Sequence, residues 1–159
     1  MDTIIKIPYT VFNNDWDQLQ QFLERKGNPR YELTGDVNLY QRKDIFNLGN
    51  LVRVYGDLRL FGSSIQSLGN LEYVGGTLNL RRSSIQSLGN LKHVDWTLNL
   101  FETQIESLGN LNYVGGELNI FDTPIQSLGN LQYVGVRILI SDDHQIPQKE
   151  LDKFVHTTW

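Results

Sequence analysis

Few residues of this 159-residue chain have the type and spacing that catalysis or metal binding requires. Asp142, Asp143 and His144 are adjacent and carry groups that bind divalent cations, but no other ligand follows at a recognisable spacing. We interpret them as a polar turn. The adjacent serines at 63–64 and 83–84 lack a placed base, so turn hydrogen bonding explains them better than nucleophilic catalysis. These observations predict a protein that is not an enzyme and that holds no metal and no cofactor.

The composition narrows the class of protein further. The formal net charge of -4 is mildly acidic, which disfavours general binding to the phosphate backbone of nucleic acids. Cysteine is absent, which excludes disulfides, thiol nucleophiles and Cys-ligated zinc sites. The sequence begins without a secretory-signal pattern and has no apolar run of roughly 18 residues, so we expect a cytoplasmic protein without a membrane partner. Alanine is also absent while leucine, asparagine and glycine abound, which favours short strands and tight turns over a helical bundle.

A repeat of 20 residues accounts for most of the chain. The tripeptide Leu-Gly-Asn recurs at this spacing, beginning at Leu48, Leu68, Leu88, Leu108 and Leu128. The pattern common to the repeats is L-x-x-V-x-G-x-L-x-L-x-x-[ST]-x-I-x-S-L-G-N. A fixed period of this kind is typical of stacked repeat proteins, in which each coil buries its apolar face only against its neighbours.

The pattern resembles the leucine-rich repeat family, whose signature is L-x-x-L-x-L-x-x-N/C-x-L. The match covers residues 33–141 and is carried in one coil by Val74, Leu78, Leu80, Ser83 and Ile85. Ser or Thr replaces the family's buried Asn or Cys, and we expect its hydroxyl to bond the backbone of a neighbouring coil. The resemblance implies a repeat solenoid of about six stacked coils with a short-stranded parallel β-sheet. It also implies binding through the outward sheet face, as in similar short arrays of bacteria and bacteriophages.

The segments outside the coils are expected to close the ends of the stack, within a single domain of residues 1–159. Residues 1–32 form the predicted N-terminal cap, which contains an α-helix. Residues 142–159 form the predicted C-terminal cap, in which an α-helix begins at Pro147. The apolar side of that helix consists of Leu151, Phe154 and Val155.

Positions that recur in every coil serve folding, so function is expected where the repeat leaves residue identity free. The recurring asparagines are predicted to form an inward ladder that satisfies backbone groups: Asn50, Asn70, Asn90, Asn110 and Asn130. Another recurring column, predicted as half-buried rings on the flank, consists of Tyr73, His93, Tyr113 and Tyr133.

One outward column, just past each strand, is mostly aromatic and predicts a contact surface. Its members are Tyr40, Phe61, Arg81, Phe101 and Phe121. Aromatic rings mixed with arginine are typical of interface hot spots. Arg59 on the same face and Trp96, which replaces a glycine of neighbouring coils, complete the predicted site. Two alternatives stay open: the rings pack on one another as a ladder, and Trp96 packs against the scaffold.

The function predicted from these features is non-catalytic binding of a protein partner through the outward sheet face. The resemblance to phage and bacterial arrays suggests a protein that binds and inhibits a host factor, in the host cytoplasm if phage-encoded. A homodimer or other homo-oligomeric assembly is the alternative, because a sheet face can pack symmetrically on a second copy. Binding of single-stranded nucleic acid through arginine and aromatic side chains ranks lower, since acidic residues share the face.

Overall fold

Three stretches of each coil bury side chains, and together they carry the chain once round a continuous core. In the coil from residue 71 to residue 90, the buried apolar side chains are Leu71, Val74, Leu78, Leu80, Ile85 and Leu88. The same positions are buried in neighbouring coils, so the core runs along the whole stack. The structure, a computed structural model, describes residues 3–154 and shows a parallel β-solenoid of about five turns of about 20 residues.

The described residues form short strands with a few helical segments at the two ends. In chain order the elements are β1 (Ile5–Pro8), a 3₁₀ turn (Tyr9–Phe12), α1 (Trp16–Arg25), β2 (Tyr31–Thr34), β3 (Val37–Asn38), β4 (Leu51–Val54), β5 (Leu58–Arg59), β6 (Tyr73–Val74), β7 (Leu78–Asn79), β8 (His93–Val94), β9 (Leu98–Asn99), β10 (Tyr113–Val114), β11 (Leu118–Asn119), β12 (Tyr133–Val134), β13 (Ile138–Leu139), α2 (Gln148–Leu151) and a second 3₁₀ turn (Asp152–Phe154). No helix within residues 3–154 is long and apolar enough to cross a bilayer.

Two parallel sheets run along the solenoid, each taking one strand from every coil. The first sheet has seven strands in the order β1-β2-β4-β6-β8-β10-β12, and the second has six in the order β13-β11-β9-β7-β5-β3. The register advances by one repeat per strand, so Leu78 lies opposite Leu98, which lies opposite Leu118. Equivalent side chains therefore form straight columns along the stack.

The first sheet corrects the prediction of a single short-stranded sheet. Only the Leu-x-Leu stretch of the repeat alternates visibly between apolar and polar residues, and that stretch forms the second sheet. Most strands of the first sheet are two residues long, as in Tyr73–Val74, too short for alternation to reveal them. The turns also number about five rather than the predicted six.

The N-terminal end of the stack is covered by β1, the first 3₁₀ turn and α1. Helix α1 begins after Asp15, whose carboxylate accepts hydrogen bonds from the N–H groups of Asp17 and Gln18. Its Leu19 and Leu23 side chains are buried in the common core. The strand β1 pairs in parallel with β2 and extends the first sheet beyond the repeats.

The C-terminal end is covered by a segment that is α-helical for four of its described residues. Helix α2 is a single turn that continues into a 3₁₀ turn. Leu151 and Phe154 are buried as predicted, whereas Val155 lies outside the described residues. The Glu150 carboxylate accepts a hydrogen bond of 2.7 Å from the Leu128 N–H, which fastens the segment to the last Ser-Leu-Gly-Asn turn.

The asparagine ladder points outward, which contradicts the predicted inward ladder. Asn70, Asn90, Asn110 and Asn130 are exposed and Asn50 is half-buried. Two of them still donate from Nδ2 to a backbone carbonyl of an earlier segment, Asn50 to Asn28 and Asn130 to Gly109. The turn itself is closed by the preceding serine, whose hydroxyl accepts from the glycine N–H two residues later. This bond measures 2.9–3.0 Å at Ser67, Ser87, Ser107 and Ser127.

The buried hydroxyl column also differs from its prediction. Thr103 Oγ1 donates to the carbonyl of Leu100 at 2.8 Å, and Thr123 Oγ1 donates to that of Ile120 at 2.7 Å. Both carbonyls lie three residues earlier in the same coil, so the hydroxyl stabilises its own turn rather than a neighbour. The short side chain does not reach across to the next coil.

Candidate functional site

The outward face of the second sheet brings the predicted contact residues together. Its middle columns are mostly Thr and Asn, and its edge just past the strands is the predicted aromatic column. We call that column the rim row, and its members are Tyr40, Phe61, Arg81, Phe101 and Phe121. Because the strands are in register, one member comes from each successive coil.

The rim row is both packed and open to solvent, so the two alternatives left by the sequence are not exclusive. The guanidinium carbon of Arg81 lies 5.8 Å from the Phe61 ring centroid and 4.9 Å from that of Phe101. Phe101 in turn stacks on Phe121 with centroids 6.0 Å apart. Tyr40 remains 54% exposed and Phe121 39% exposed, while the three between them are half-buried. Their mutual contacts hold the side chains in place on the surface.

The asparagines beside the rim row position its backbone. Oδ1 of Asn79 accepts from the Arg81 N–H at 3.1 Å, and Oδ1 of Asn99 accepts from the Phe101 N–H at 3.0 Å. Oδ1 of Asn119 accepts in the same way from the Phe121 N–H. Such Asx turns fix where each rim side chain leaves the backbone. The hydrogen bonds also orient each carboxamide, because only its oxygen can accept from a backbone N–H.

Most charges on this face are already paired. Arg59, a predicted contact residue, donates to Asp57 at 2.7 Å and lies 3.4 Å from Asp36, which leaves it little free capacity. Arg82 forms an ion pair with Glu102, and its hydrogen bond lowers the pKa of that carboxyl group.

Arg137 pairs with Glu117 at 2.6 Å, farther along the same face. Arg81 differs from these residues, because it forms no ion pair with any residue between 3 and 154. Its charge acts on the Glu102 carboxyl group only from a distance, and helps to lower the pKa of that group.

Trp96 lies at the other edge of the same face, five residues before Phe101. Its side chain is 65% exposed and makes no ring contact with any described aromatic residue. Neighbouring coils have glycine here, and a Cβ at Gly116 would lie 3.0 Å from the backbone carbon of Trp96. The adjacent coils thus form this corner without a side chain, and the Trp96 side chain extends into solvent.

A second aromatic column lies on the outward face of the first sheet, and the rings that the sequence predicts as half-buried are so except for the exposed Tyr133. His93 stacks on Tyr113 with centroids 4.1 Å apart, and Tyr113 stacks on Tyr133 at 4.8 Å. Asp95 accepts from Tyr73 Oη at 2.5 Å and lies 2.7 Å from His93 Nε2. The hydrogen bond to Asp95, with burial second, raises the pKa of Tyr73 to about 12. The period of 20 residues places these rings in one column, and their spacing was the available signal.

The described residues contain no cluster of metal-ligating side chains. Between residues 3 and 154 no three His, Cys, Asp or Glu side chains converge on a point where a metal ion would fit. His144, near the two predicted turn aspartates, accepts at Nδ1 from the Ile146 N–H at 3.1 Å. A polar cavity of about 590 Å³ lies beside the outward asparagines, between Arg30 and Glu72. It shares no residue with the rim row.

Comparison with known proteins gives no relative for this arrangement. No family model matches the chain, and no match was found among curated proteins or among solved structures.

Proposed function

We propose that this protein is a non-catalytic interaction module that binds a protein partner through the outward face of its second sheet. The rim row carries the proposal, because it places partly exposed aromatic side chains and an arginine in one line on a rigid surface. Side chains already ordered before binding lose little conformational entropy on association. Aromatic and arginine side chains are also those that most often dominate binding energy.

The dimensions of the face suit a protein segment. Five residue steps separate Trp96 from Phe101, so the face is roughly 16 Å wide at about 3.3 Å per residue. Six strands at about 4.8 Å make it roughly 24 Å long along the stack. A helix or an extended segment of a partner fits between Trp96 and the rim row, and Trp96 then contributes a second anchor.

We also propose kinship with leucine-rich repeat proteins, which rests on the V-x-x-x-L-x-L-x-x-[ST]-x-I pattern. The two-sheet coil and the self-bonded hydroxyl column distinguish this chain from the expected single-sheet form. A role as a bacterial or phage inhibitor of a host factor follows from that kinship alone. Single-stranded nucleic acid is a poorer partner, because Glu102, Glu117 and Asp122 lie on the same face.

The test compares capture of proteins by wild type with capture by the double variant Phe101→Ala/Phe121→Ala. The expected result is one partner that wild type retains and that the variant binds at least about 100-fold more weakly. The matched control is Gln86→Ala/Gln126→Ala, which changes two exposed residues in the stretch of the coil that belongs to neither sheet. A partner that binds the rim-row variant as tightly as wild type would show that the interface lies elsewhere.

A further inference from the structure

Arg81 departs from the rim row in a way that points to a ligand. The other members of the row are aromatic, and rings at position 81 would continue the stack between Phe61 and Phe101. The scaffold therefore does not require a cation here. The two rings hold the guanidinium group from both sides, which fixes its plane without neutralising its charge.

The polar atoms of this side chain have no partner among residues 3–154. Nε is buried and makes no hydrogen bond. The two terminal nitrogens make none either, and because they are not among the buried unpaired atoms they reach solvent. The other arginines of the repeat coils have carboxylate partners, namely Arg42, Arg53, Arg59, Arg82 and Arg137. A partly desolvated guanidinium group with an open terminal edge is suited to a bidentate acceptor.

The asparagines next to Arg81 add further donors. Oδ1 of Asn79, Asn99 and Asn119 is occupied by a backbone N–H. Their Nδ2 groups make no hydrogen bond to residues 3–154 and are absent from the buried unpaired atoms, so they face solvent. The middle of the face thus presents a line of N–H donors that ends at a cation.

We propose that Arg81 binds a carboxylate of the partner segment, and that the Nδ2 groups of Asn79, Asn99 and Asn119 donate to acceptors beside it. The inference rests on the proposed function and specifies its partner: an acidic side chain or chain terminus next to an apolar residue that contacts Phe101. A singly charged carboxylate fits better than a phosphate, because the Glu102 carboxylate, which interacts electrostatically with Arg81, opposes a dianion more strongly than a monoanion.

The experiment uses two dipeptides as probes, acetyl-Phe-Glu-amide and its isostere acetyl-Phe-Gln-amide. Each is titrated into the full-length ¹⁵N-labelled protein while the Arg81 Nε–H and Asn99 Nδ2–H₂ resonances are followed. We expect saturable shifts of both signals with the Glu probe and at least about tenfold weaker binding of the Gln probe, as befits loss of a charge-assisted pair. Inorganic phosphate is titrated in parallel.

Two variants preserve the fold while removing one donor at a time. Arg81→Phe restores the aromatic residue of neighbouring coils and is expected to abolish the preference for the Glu probe. Asn99→Asp keeps an oxygen for the Phe101 N–H but replaces the donor with an acceptor, and is expected to weaken the Glu probe at least about threefold.

Equal binding of the two dipeptides, a preference that survives in Arg81→Phe, or the absence of any Arg81 shift would overturn the inference. Tighter binding of phosphate than of the Glu probe would assign the site to a different ligand and overturn it as well. Shifts confined to the backbone N–H signals of Phe101 and Phe121, with no preference for Glu, would reject the carboxylate site and leave the proposed interface standing.

Discussion

The outward columns of the two sheets both contain aromatic rings, but they differ in whether their polar atoms have hydrogen-bond partners. On the first sheet, His93 and Tyr113 stack face to face, and Asp95 accepts hydrogen bonds from the polar ends of its neighbours. On the second sheet, the rings are farther apart and Arg81 has no acceptor among the described residues. The hydrogen bonds of Tyr73 and His93 to Asp95 stabilise the stack, whereas the unpaired donors of Arg81 are available to another molecule.

The largest expected effect concerns the core that the two sheets share. Leu98 is fully buried between neighbouring leucines of its column, so Leu98→Ala leaves a cavity and lowers the free energy of unfolding by ~2–5 kcal/mol. Urea denaturation followed by circular dichroism measures this loss. Phe101→Ala, three residues later and half-buried, is the control. A loss of stability as large as that of Leu98→Ala would make Phe101 a core residue and remove it from the interface.

The second prediction compares the two aromatic columns directly. Tyr113 is stacked on both sides, at 4.1 and 4.8 Å, so Tyr113→Ala is expected to cost ~1–3 kcal/mol of stability. Phe101→Ala is expected to cost ~1 kcal/mol, because its ring contacts are longer. Denaturant midpoints of the two variants, measured side by side, test the order. If Phe101→Ala loses more stability than Tyr113→Ala, then the rim row, and not the column of the first sheet, is the one that stabilises the stack.

The third prediction concerns alkaline pH. The folded-state pKa values of Tyr73 and Tyr9 are raised to about 12, Tyr73 chiefly by its hydrogen bond to Asp95 and Tyr9 chiefly by burial. A raised pKa means that the folded protein holds these protons more tightly than the unfolded chain. Their contribution to stability is therefore complete below about pH 10 and is lost as the pH rises towards 12.

Melting temperatures measured between pH 9 and 12 should fall across that window. Asp95→Gly, which restores the glycine of neighbouring coils, isolates the Tyr73 contribution. In this variant, phenolate absorbance should show one tyrosine titrating nearer to its ordinary pKa of about 10. An unchanged titration curve would show that Asp95 does not hold the Tyr73 proton.

The smallest expected effect on stability is at Trp96. Its side chain is 65% exposed and neighbouring coils have glycine in its place, so Trp96→Gly should change the free energy of unfolding by less than ~0.5 kcal/mol. Binding of the captured partner should nevertheless weaken at least about tenfold, as for an aromatic anchor. Isothermal titration with the purified partner measures the second effect. Undiminished affinity would limit the contact surface to the rim row.

The sequence was sufficient to predict the solenoid, because Leu78, Leu80 and their equivalents repeat at a period that only stacked coils explain. It was insufficient for the first sheet, since Tyr73 and Val74 alone contain no alternation to detect. The asparagine prediction failed at Asn90 and its equivalents for a chemical reason. Both serine and asparagine can satisfy the same turn, and the structure uses Ser87.

The contact surface, too, was predicted from the sequence only in part. The exposure of Phe121 follows from its place in the repeat, as the sequence predicted, whereas for Trp96 the sequence left packing and exposure open, and the structure shows the side chain exposed. The distinction between Arg59 and Arg81 does not, because both are arginines on the same face. Only the positions of Asp36 and Asp57 show that Arg59 is paired. Whether a charged side chain has a partner depends on the residues around it in space, so the residue type at one position of the sequence does not reveal it.

The uniform pairing of each strand with the equivalent strand of the next coil has a kinetic consequence. Neighbouring strands such as β7 and β9 are separated by 20 residues throughout the repeats, so no contact of the sheets requires closure of a much longer loop. Two neighbouring coils can therefore pair as soon as about 40 residues of chain are available, and no strand has to wait for a distant one. This all-parallel β-structure should fold by adding coils one at a time to whichever pair forms first.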